Sequence, residues 1–316
     1  MRRCALLSLF AGAVLAPAAP CHAQRQEVSP PTMPGGKPLE VVVGMYVQQL
    51  NSIDEAAQTA SVEGWVELRW HDRRQAFDGD SAGTVFREWG GEAAGQQLGR
   101  TVWWPDPILL EVEQGGTLDR YYLRIDTAGR INFSARFNAT VLTPLELRRF
   151  PYDRQAIRIT VEQYAAGVGT VRFVPDTSIS GVGQRVALAE WNVSGFRALA
   201  DVDDYTHMGE LWDAYSRYIF ELGVARRFGF YNWKVLLPLL MIVASGWTVF
   251  WFRDLATQLS VAFTVMLTVV AFTFVIADTL PRVPYLTFLD ILLLTGYTFV
   301  FLSLLVVVAA HVMERQ

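Results

Sequence analysis

The segment LATQLSVAFTVMLTVVAFTFVIAD, residues Leu255 to Asp278, decides how the rest of the chain is interpreted. It is long enough to cross a bilayer as a helix and carries no charge before its last residue. One stripe of this helix, spaced by three and four residues, carries polar, apolar, small, aromatic and acidic side chains in turn. Its members are Ser260, Thr264, Leu267, Ala271, Phe274 and Asp278. We predict that this stripe lines a pore, although small residues also permit close helix packing and periodicity alone favours that simpler interpretation.

Two further apolar runs indicate a chain with a soluble part and a membrane part. The 316 residues are 52% apolar, with a mean hydropathy of +0.23, which exceeds the usual composition of one soluble domain. The apolar residues concentrate in spans at about 233–252, 255–278 and 286–310, so residues 228–316 are predicted to form a transmembrane domain. The formal charge of −4 and the lack of a basic cluster argue against nucleic-acid binding.

The N-terminus has the pattern of a secretory signal. Residues 1–23 contain two arginines, a short apolar core and small residues before Gln24, as in a cleaved signal peptide. A lipoprotein anchor at Cys21 is the alternative. Cys4 and Cys21 are the only cysteines of the sequence, so the mature chain would form no disulfide. Residues 24–37 are rich in proline and polar residues and are predicted to be a flexible lead-in.

Residues 38–227 carry the signals of an all-β domain. Apolar and polar residues alternate from Ser61 to Trp70, as in a strand with one buried face. Turn signals separate such segments at short intervals, which predicts an antiparallel β-sandwich. Residues 79–91 are predicted to carry a short helix. The predicted strands are 39–50, 61–70, 118–126, 130–137, 155–164, 170–174, 190–199 and 215–224.

Several motifs are similar to those of one membrane-protein family. The segment Leu147 to Gln155, LRRFPYDRQ, resembles the FPFDxQ core of that family's signature loop. Trp104-Pro105-Asp106, Pro238 in the first span, and Leu280 to Tyr285 after the second span match further motifs at the expected intervals. On these residues the chain, over about 38–310, resembles the pentameric ligand-gated ion channels of the Cys-loop receptor superfamily.

The resemblance is to prokaryotic members in particular. Thr143 and Ile157 stand where animal members have the bracketing cysteines, a departure that prokaryotic members share. Similarity is strongest to a bacterial amine-gated channel, in segments 263–264, 266–271 and 280–282. The resemblance implies an extracellular β-sandwich followed by an α-helical transmembrane domain. It also implies a homopentamer in the bacterial inner membrane, with the N-terminal domain in the periplasm or outside.

The implied function is a ligand-gated channel for monovalent cations. A small-molecule agonist, an amine by this resemblance, would bind between subunits. Family members have a fourth membrane helix that this sequence is not expected to contain, so a non-conducting membrane-tethered ligand sensor or a truncated receptor is the alternative. No cofactor is implied. The histidines, among them His71 and His207, lack the spacing of metal ligands or of a catalytic triad, so we do not expect an enzyme.

The resemblance also gives the pore stripe a direction. Ser260 would lie toward the cytoplasm and Asp278 at the outer mouth. Rings of Leu267 and Phe274 are predicted to close the pore by excluding water. A ring of Asp278 carboxylates would concentrate cations. Asp254 is the only acidic residue near the cytoplasmic entrance.

An aromatic and acidic cluster is predicted to bind the agonist. Aromatic rings attract an ammonium group by roughly 0.5–2 kcal/mol each, and a carboxylate adds charge pairing. Any one tyrosine on a strand is as readily explained as a half-buried sheet residue, so the prediction depends on the cluster. The resemblance assigns Glu162, Tyr164, Tyr205 and Tyr215 to one subunit and Tyr46 and Trp65 to its neighbour.

A third group is predicted to couple ligand binding to the pore. The resemblance implies a salt-bridge network of Asp153, Arg226 and either Asp54 or Glu55, facing a linker that contains Pro281. Asp153 is alternatively a turn residue, and Arg226 an anchor for lipid headgroups.

Overall fold

The computed structural model describes residues 28–184, 186, 188–209, 213–277 and 283–314. The predicted signal peptide lies outside these ranges. Of the predicted lead-in, the described part contains a short 3₁₀ turn at Pro34–Gly36. The strands within the described ranges form two sheets that pack face to face.

The larger sheet is mixed, and the smaller one is antiparallel. In the larger sheet β1 pairs with the two short strands β8 and β9 in parallel, and every other recorded pairing is antiparallel. Its spatial order is β3 (Phe86–Gly90), β5 (Val112–Asp126), β6 (Arg130–Leu142), β2 (Thr59–His71), β1 (Leu39–Asp54) and β8 (Val171–Pro175), with β9 (Gly181–Val182) beside β1. The smaller sheet has the order β10 (Trp191–Asp204), β11 (Ala214–Arg226), β7 (Arg154–Gln163) and β4 (Pro107–Leu110).

Alternation along the strands builds the core between the sheets. Val62, Val66 and Leu68 of β2 are fully buried, as their period of two predicts. Phe133 of β6 and Phe220 of β11 enter the same core from opposite sheets. The predicted β-sandwich is therefore confirmed.

Three strands of the described ranges, β3, β4 and the two-residue β9, were not predicted. The predicted short helix at 79–91 covers only Gly79–Ala82 and is followed by β3. β3 lies at the edge of its sheet and is largely exposed, so it lacks the alternation that marks a half-buried strand. β4 has only four residues, too few for a periodic signal. A further helix, Glu92–Gln97, follows β3.

Three helices in the described part of the chain are long and apolar enough to cross a membrane. We call them the first helix (Gly229–Trp251), the second helix (Leu255–Ala277) and the third helix (Phe288–Glu314). The first helix begins four residues before the predicted span and the third ends four residues after it. Hydropathy does not mark these two helix ends, because the polar and aromatic residues at a membrane interface are less hydrophobic than the span although they are still helical.

The first helix is irregular ahead of its proline. Residues Asn232–Leu236 form a π turn directly before Pro238, and the α-helix resumes at Leu237–Ser245. A proline lacks an N–H group and its ring crowds the carbonyl four residues earlier, here that of Lys234. The wider turn at this carbonyl accommodates the ring.

The sandwich rests on the helices through its signature loop. Leu147 and Phe150 of this loop are fully buried and join a cluster that contains Leu239, Val269 and Leu289. Each membrane helix thus contributes a residue to the cluster that contains these two loop side chains, and the cluster marks the junction of the two parts.

Candidate functional site

The predicted pore stripe lies on the exposed side of the second helix. Leu267 and Phe274 have exposed fractions of 69% and 73%, and the described members Ser260, Thr264 and Ala271 are exposed as well. The buried residues of this helix fall on the opposite side, since 100° per residue places them about half a turn away. They are Ala262, Val265, Val269 and Ile276. The stripe therefore takes no part in the packing of its own chain.

Asp254 and Asp278 flank the second helix in the sequence, and the structure describes only Asp254. Asp254 caps the second helix: its Oδ2 atom accepts hydrogen bonds from the Thr257 backbone N–H at 2.9 Å and the Thr257 hydroxyl at 2.8 Å. These bonds lower the pKa of Asp254. Asp278, predicted to form the outer carboxylate ring, lies outside the described residues.

The predicted ligand cluster contains an ion pair at its centre. Glu162 on β7 is fully buried, and its Oε2 atom accepts a hydrogen bond of 2.6 Å from Nε of Arg217 on β11. Arg217 also donates from Nη2 to the Tyr205 hydroxyl at 2.6 Å and forms an ion pair with Asp203. Burial lowers the pKa of Arg217, but the hydrogen bond to Glu162 and the electrostatic interactions with Glu162, Tyr205 and Asp203 together outweigh burial and raise it. The negative charge of the Glu162 carboxylate is therefore balanced by Arg217 of the same chain.

Three of the predicted tyrosines surround this ion pair. The rings of Tyr164 and Tyr215 stack with centroids 5.4 Å apart and an interplanar angle of 12°. Tyr205 lies 6.0 Å from Tyr215, and the Arg217 guanidinium lies 5.8 Å from the Tyr205 ring. Burial raises the pKa of both Tyr205 and Tyr215, so their hydroxyls keep their protons at neutral pH. Tyr164 is 47% exposed, which leaves an aromatic surface open to a ligand.

The two residues assigned to the neighbouring subunit lie on the other sheet. Tyr46 on β1 and Trp65 on β2 are directly opposite in register, so they share one face of the larger sheet. Tyr46 is 44% exposed while Met45 and Val47 beside it are fully buried. This face points away from the core. Within one chain the structure does not bring Tyr46 and Trp65 to the cluster around Glu162.

Arg217 is the central residue that sequence reasoning missed. The predicted strand 215–224 already places Arg217 on the same face as Tyr215, since the two are two residues apart. Its partner Glu162 is directly opposite in the pairing of β11 with β7. That register follows from the sheet order, which the sequence pattern does not supply. Ile108 on β4 stands opposite Glu162 on its other side.

The predicted coupling residues Asp153 and Arg226 form a buried ion pair. Nε and Nη2 of Arg226 donate to the two carboxylate oxygens of Asp153 at 2.7 and 3.2 Å. Nη1 of Arg226 donates to Glu55, so Glu55 rather than Asp54 is the third partner. Asp54 instead accepts from the backbone N–H groups of Ala56 and Ala57 in a turn. Pro281 lies outside the described residues.

An aromatic cage encloses the same guanidinium. The guanidinium carbon of Arg226 lies 4.2 Å from the Trp191 ring centroid and 4.6 Å from that of Phe150. Burial lowers the pKa of Arg226, but its bonds to Asp153 and Glu55 outweigh burial and raise it. Burial also raises the pKa of Glu55, and the Arg226 guanidinium reverses only part of this increase.

The signature loop around Asp153 contacts both the first and the third helix. The Tyr152 hydroxyl donates to Oδ1 of Asn232 at 2.7 Å, and its ring lies 5.8 Å from that of Phe288. The backbone N–H of Phe288 donates to the Arg148 carbonyl at 2.8 Å. The structure thus joins the ion pair, the loop and two membrane helices in one contact network. Among the described residues, no group of three or more His, Cys, Asp and Glu side chains is arranged to hold a metal ion.

Comparison with known proteins shows the family to which the chain belongs. Residues 24–228 match the family model described as the neurotransmitter-gated ion-channel ligand binding domain. The chain is 26% identical over 289 residues to the proton-gated ion channel of Gloeobacter violaceus, which covers 92% of this chain and 77% of that protein. It is 22% identical over 280 residues to the gamma-aminobutyric acid receptor subunit beta-4 of Gallus gallus, covering 86% of this chain and 54% of that receptor subunit. Because the family model matches more than half of its residues, the chain belongs to the neurotransmitter-gated ion-channel family.

Proposed function

We propose that this chain is the subunit of a homopentameric ligand-gated ion channel of the bacterial inner membrane. The β-sandwich would lie in the periplasm or outside and bind a small ligand between neighbouring subunits. Binding shifts a pre-existing equilibrium toward an open pore. The pore would conduct monovalent cations.

The observation that carries this proposal is the exposed stripe of the second helix. Ser260 and Thr264 place hydroxyl groups on the side that its own chain leaves uncovered, and the Thr264 hydroxyl is satisfied by the Ser260 carbonyl at 2.8 Å. Leu267 and Phe274 continue this side outward. Five such helices around an axis would place the hydroxyls in a water-filled entrance and the apolar side chains in rings that exclude water.

The ligand site is proposed at the tyrosine cluster, with a changed role for Glu162. Because Arg217 already pairs with Glu162, that carboxylate orients Arg217 rather than a ligand. Arg217 faces two carboxylates, those of Glu162 and Asp203, so one negative charge is left over. The exposed ring of Tyr164 and this excess charge favour an amine ligand. Tyr46 and Trp65 of the neighbouring subunit would complete the site.

Gating by protons is the second candidate. The relative from Gloeobacter violaceus is named a proton-gated channel. The carboxyl group of Glu55, whose pKa burial raises, lies in the proposed coupling network. Its protonation would remove one of the two negative charges that face Arg226 and so change the charge balance of the junction.

Currents from proteoliposomes separate these candidates. Purified protein would be exposed to a short primary amine, n-propylamine, at fixed pH, and to a pH series without amine. Ligand gating predicts currents with the amine that Tyr215→Ala abolishes, and no currents in the pH series without amine. Proton gating predicts currents in the pH series that Tyr215→Ala preserves and that Glu55→Gln makes less dependent on pH. Absence of current under both conditions from correctly folded pentamers would favour the non-conducting sensor.

Cation selectivity is proposed from Asp278 alone, since Asp254 is occupied in capping its helix. Replacing Asp278 with Lys is expected to shift the reversal potential under a salt gradient toward that of anions. Unchanged reversal potentials would remove the support for cation selectivity while leaving the channel function intact.

A further inference from the structure

Most side-chain hydroxyl groups of the second and third helices form the same kind of hydrogen bond. Most donate to the carbonyl four residues earlier in their own helix, which satisfies the hydroxyl without linking helices. The bonds of this kind, of 2.8 to 2.9 Å, are Thr264 to Ser260, Thr268 to Thr264, Thr295 to Ile291, Thr298 to Leu294 and Ser303 to Phe299.

Thr273 differs from these residues because its hydroxyl has a second partner outside its own helix. It donates to the Val269 carbonyl at 2.8 Å and also contacts the Tyr297 hydroxyl of the third helix. Since the single proton of Thr273 goes to Val269, the Tyr297 hydroxyl is the donor of the second bond. In the described part of the chain this is the one side-chain hydrogen bond between two membrane helices.

The surroundings of this bond are apolar. Val269 and Leu293 are buried in the cluster against which Tyr297 packs. A phenol hydroxyl in such a place loses water and needs a protein partner. Apolar packing between helices tolerates small sliding and rotation, whereas a hydrogen bond requires its distance and angle. The Tyr297–Thr273 bond therefore fixes the register of the second helix against the third more sharply than the packing around it.

The position of the bond connects it to the pore. Thr273 directly precedes Phe274, and the two side chains leave the helix about 100° apart. Thr273 faces the third helix while Phe274 is exposed on the predicted pore stripe. A rotation that turns Phe274 away from the pore axis must also move Thr273 relative to Tyr297.

We propose that the Tyr297–Thr273 hydrogen bond is a gating latch, made in one state of the pore and released in the other. It makes Tyr297 a positioning residue for the Phe274 ring, although Tyr297 does not line the pore. This inference rests on the proposed channel function. The occupancy of the latch sets how much stimulus is needed to move the second helix.

The test is a double-mutant cycle in proteoliposome recordings. Tyr297→Phe removes only the hydroxyl, and Thr273→Val replaces a hydroxyl with a methyl group of the same shape. Activation would be measured against n-propylamine and against pH, using whichever opens the parent. Each single variant is expected to shift the half-maximal stimulus by about threefold or more, in the same direction, as for other interhelical hydrogen bonds in membranes. The double variant is expected to match the singles, because the same bond is lost in all three.

Matched controls remove equivalent hydroxyls that bond only within their own helix. Thr268→Val on the second helix and Thr298→Val on the third should leave the half-maximal stimulus within about twofold of the parent. Thermal denaturation in detergent would show that every variant is folded. Single variants that lower the melting temperature without moving the half-maximal stimulus, or effects that simply add in the double variant, would overturn the latch alone. A parent that conducts under neither stimulus would overturn the proposed function and the latch together.

Discussion

Arg226 is the centre of the ion pairs at the junction between the β-sandwich and the membrane helices. Its side chain is fully buried between Asp153 and Glu55. Removing one partner of a buried ion pair leaves an uncompensated charge, at a cost of about 3–5 kcal/mol. We therefore expect Arg226→Ala to lower the free energy of unfolding by about that amount.

Chemical denaturation of the solubilised protein measures this loss, and the neighbouring residue provides a matched control. Arg227 is exposed and donates to Oδ1 of Asn192 at 2.7 Å. Arg227→Ala should cost less than about 1 kcal/mol. Equal losses for the two variants would contradict the buried pair as a major contributor to stability.

Glu55 gives the junction a pH dependence of known sign. Burial raises its pKa above the ordinary value of 4.5, so the folded protein binds this proton more tightly than the unfolded chain. The resulting stability is fully present below the unfolded pKa and is lost as pH rises through the folded pKa. Glu55→Gln removes this loss. We expect the melting temperature of the variant, relative to the parent, to increase as pH is raised from about 4 to about 8. A relative melting temperature that falls over this range would contradict the assignment.

Asp54 and Glu55 have different partners that the sequence alone does not predict. The partnership of Asp153 with Arg226 was predictable from the signature-loop motif, but Asp54 and Glu55 are adjacent in sequence and equally acidic. Their roles differ because Asp54 turns back to the N–H groups of Ala56 and Ala57. Local hydrogen bonds of this kind depend on the turn geometry, which composition does not specify.

Among the elements, the second helix carries the sharpest test of a pore. Leu267 and Val275 are equally exposed in the single chain, at 69% and 71%, but only Leu267 lies on the predicted stripe. A polar residue in an apolar ring lets water enter a closed pore. We expect Leu267→Thr to increase the current without stimulus by about tenfold or more, and Val275→Thr to leave it unchanged. Open probability in unstimulated membrane patches measures both, and equal effects would contradict the assigned pore face.

Tyr164, directly after β7, and Tyr215 on β11 carry the ligand prediction. Tyr164→Ala and Tyr215→Ala each remove one ring of the stacked pair. Loss of one cation–π contact should weaken amine binding by roughly 2- to 30-fold. Equilibrium binding of n-propylamine measures this change. Tyr122→Ala, an exposed tyrosine on the larger sheet, is the control. If the two cluster variants bind amine as well as Tyr122→Ala does, the site is elsewhere.

Elements with a strong period were predictable, and those without one were not. The alternation in β2 and the long apolar spans gave their elements directly, because one buried face or a bilayer imposes the pattern. The edge strand Phe86–Gly90 has no buried face to impose it. The π turn Asn232–Leu236 follows from Pro238, but the sequence motif does not say whether a helix widens, kinks or ends there.

For the whole molecule, the sequence motifs predicted the order of the parts, and the structure adds how they are joined. Leu147 and Phe150 of the signature loop belong to one apolar cluster with residues of all three membrane helices. The predicted pore stripe is exposed on the second helix, and Tyr46 is 44% exposed on the larger sheet. A ring of identical subunits, the form of assembly that the family implies, would turn the stripe toward a shared axis and bring Tyr46 against a neighbouring subunit.

Single-channel recording of the purified chain in planar bilayers tests the central claim most directly. The account predicts discrete unitary currents that appear with n-propylamine or with acid and that carry monovalent cations. The preparation should contain five subunits by native mass spectrometry. A folded pentamer that gives no unitary current under either stimulus would contradict the account.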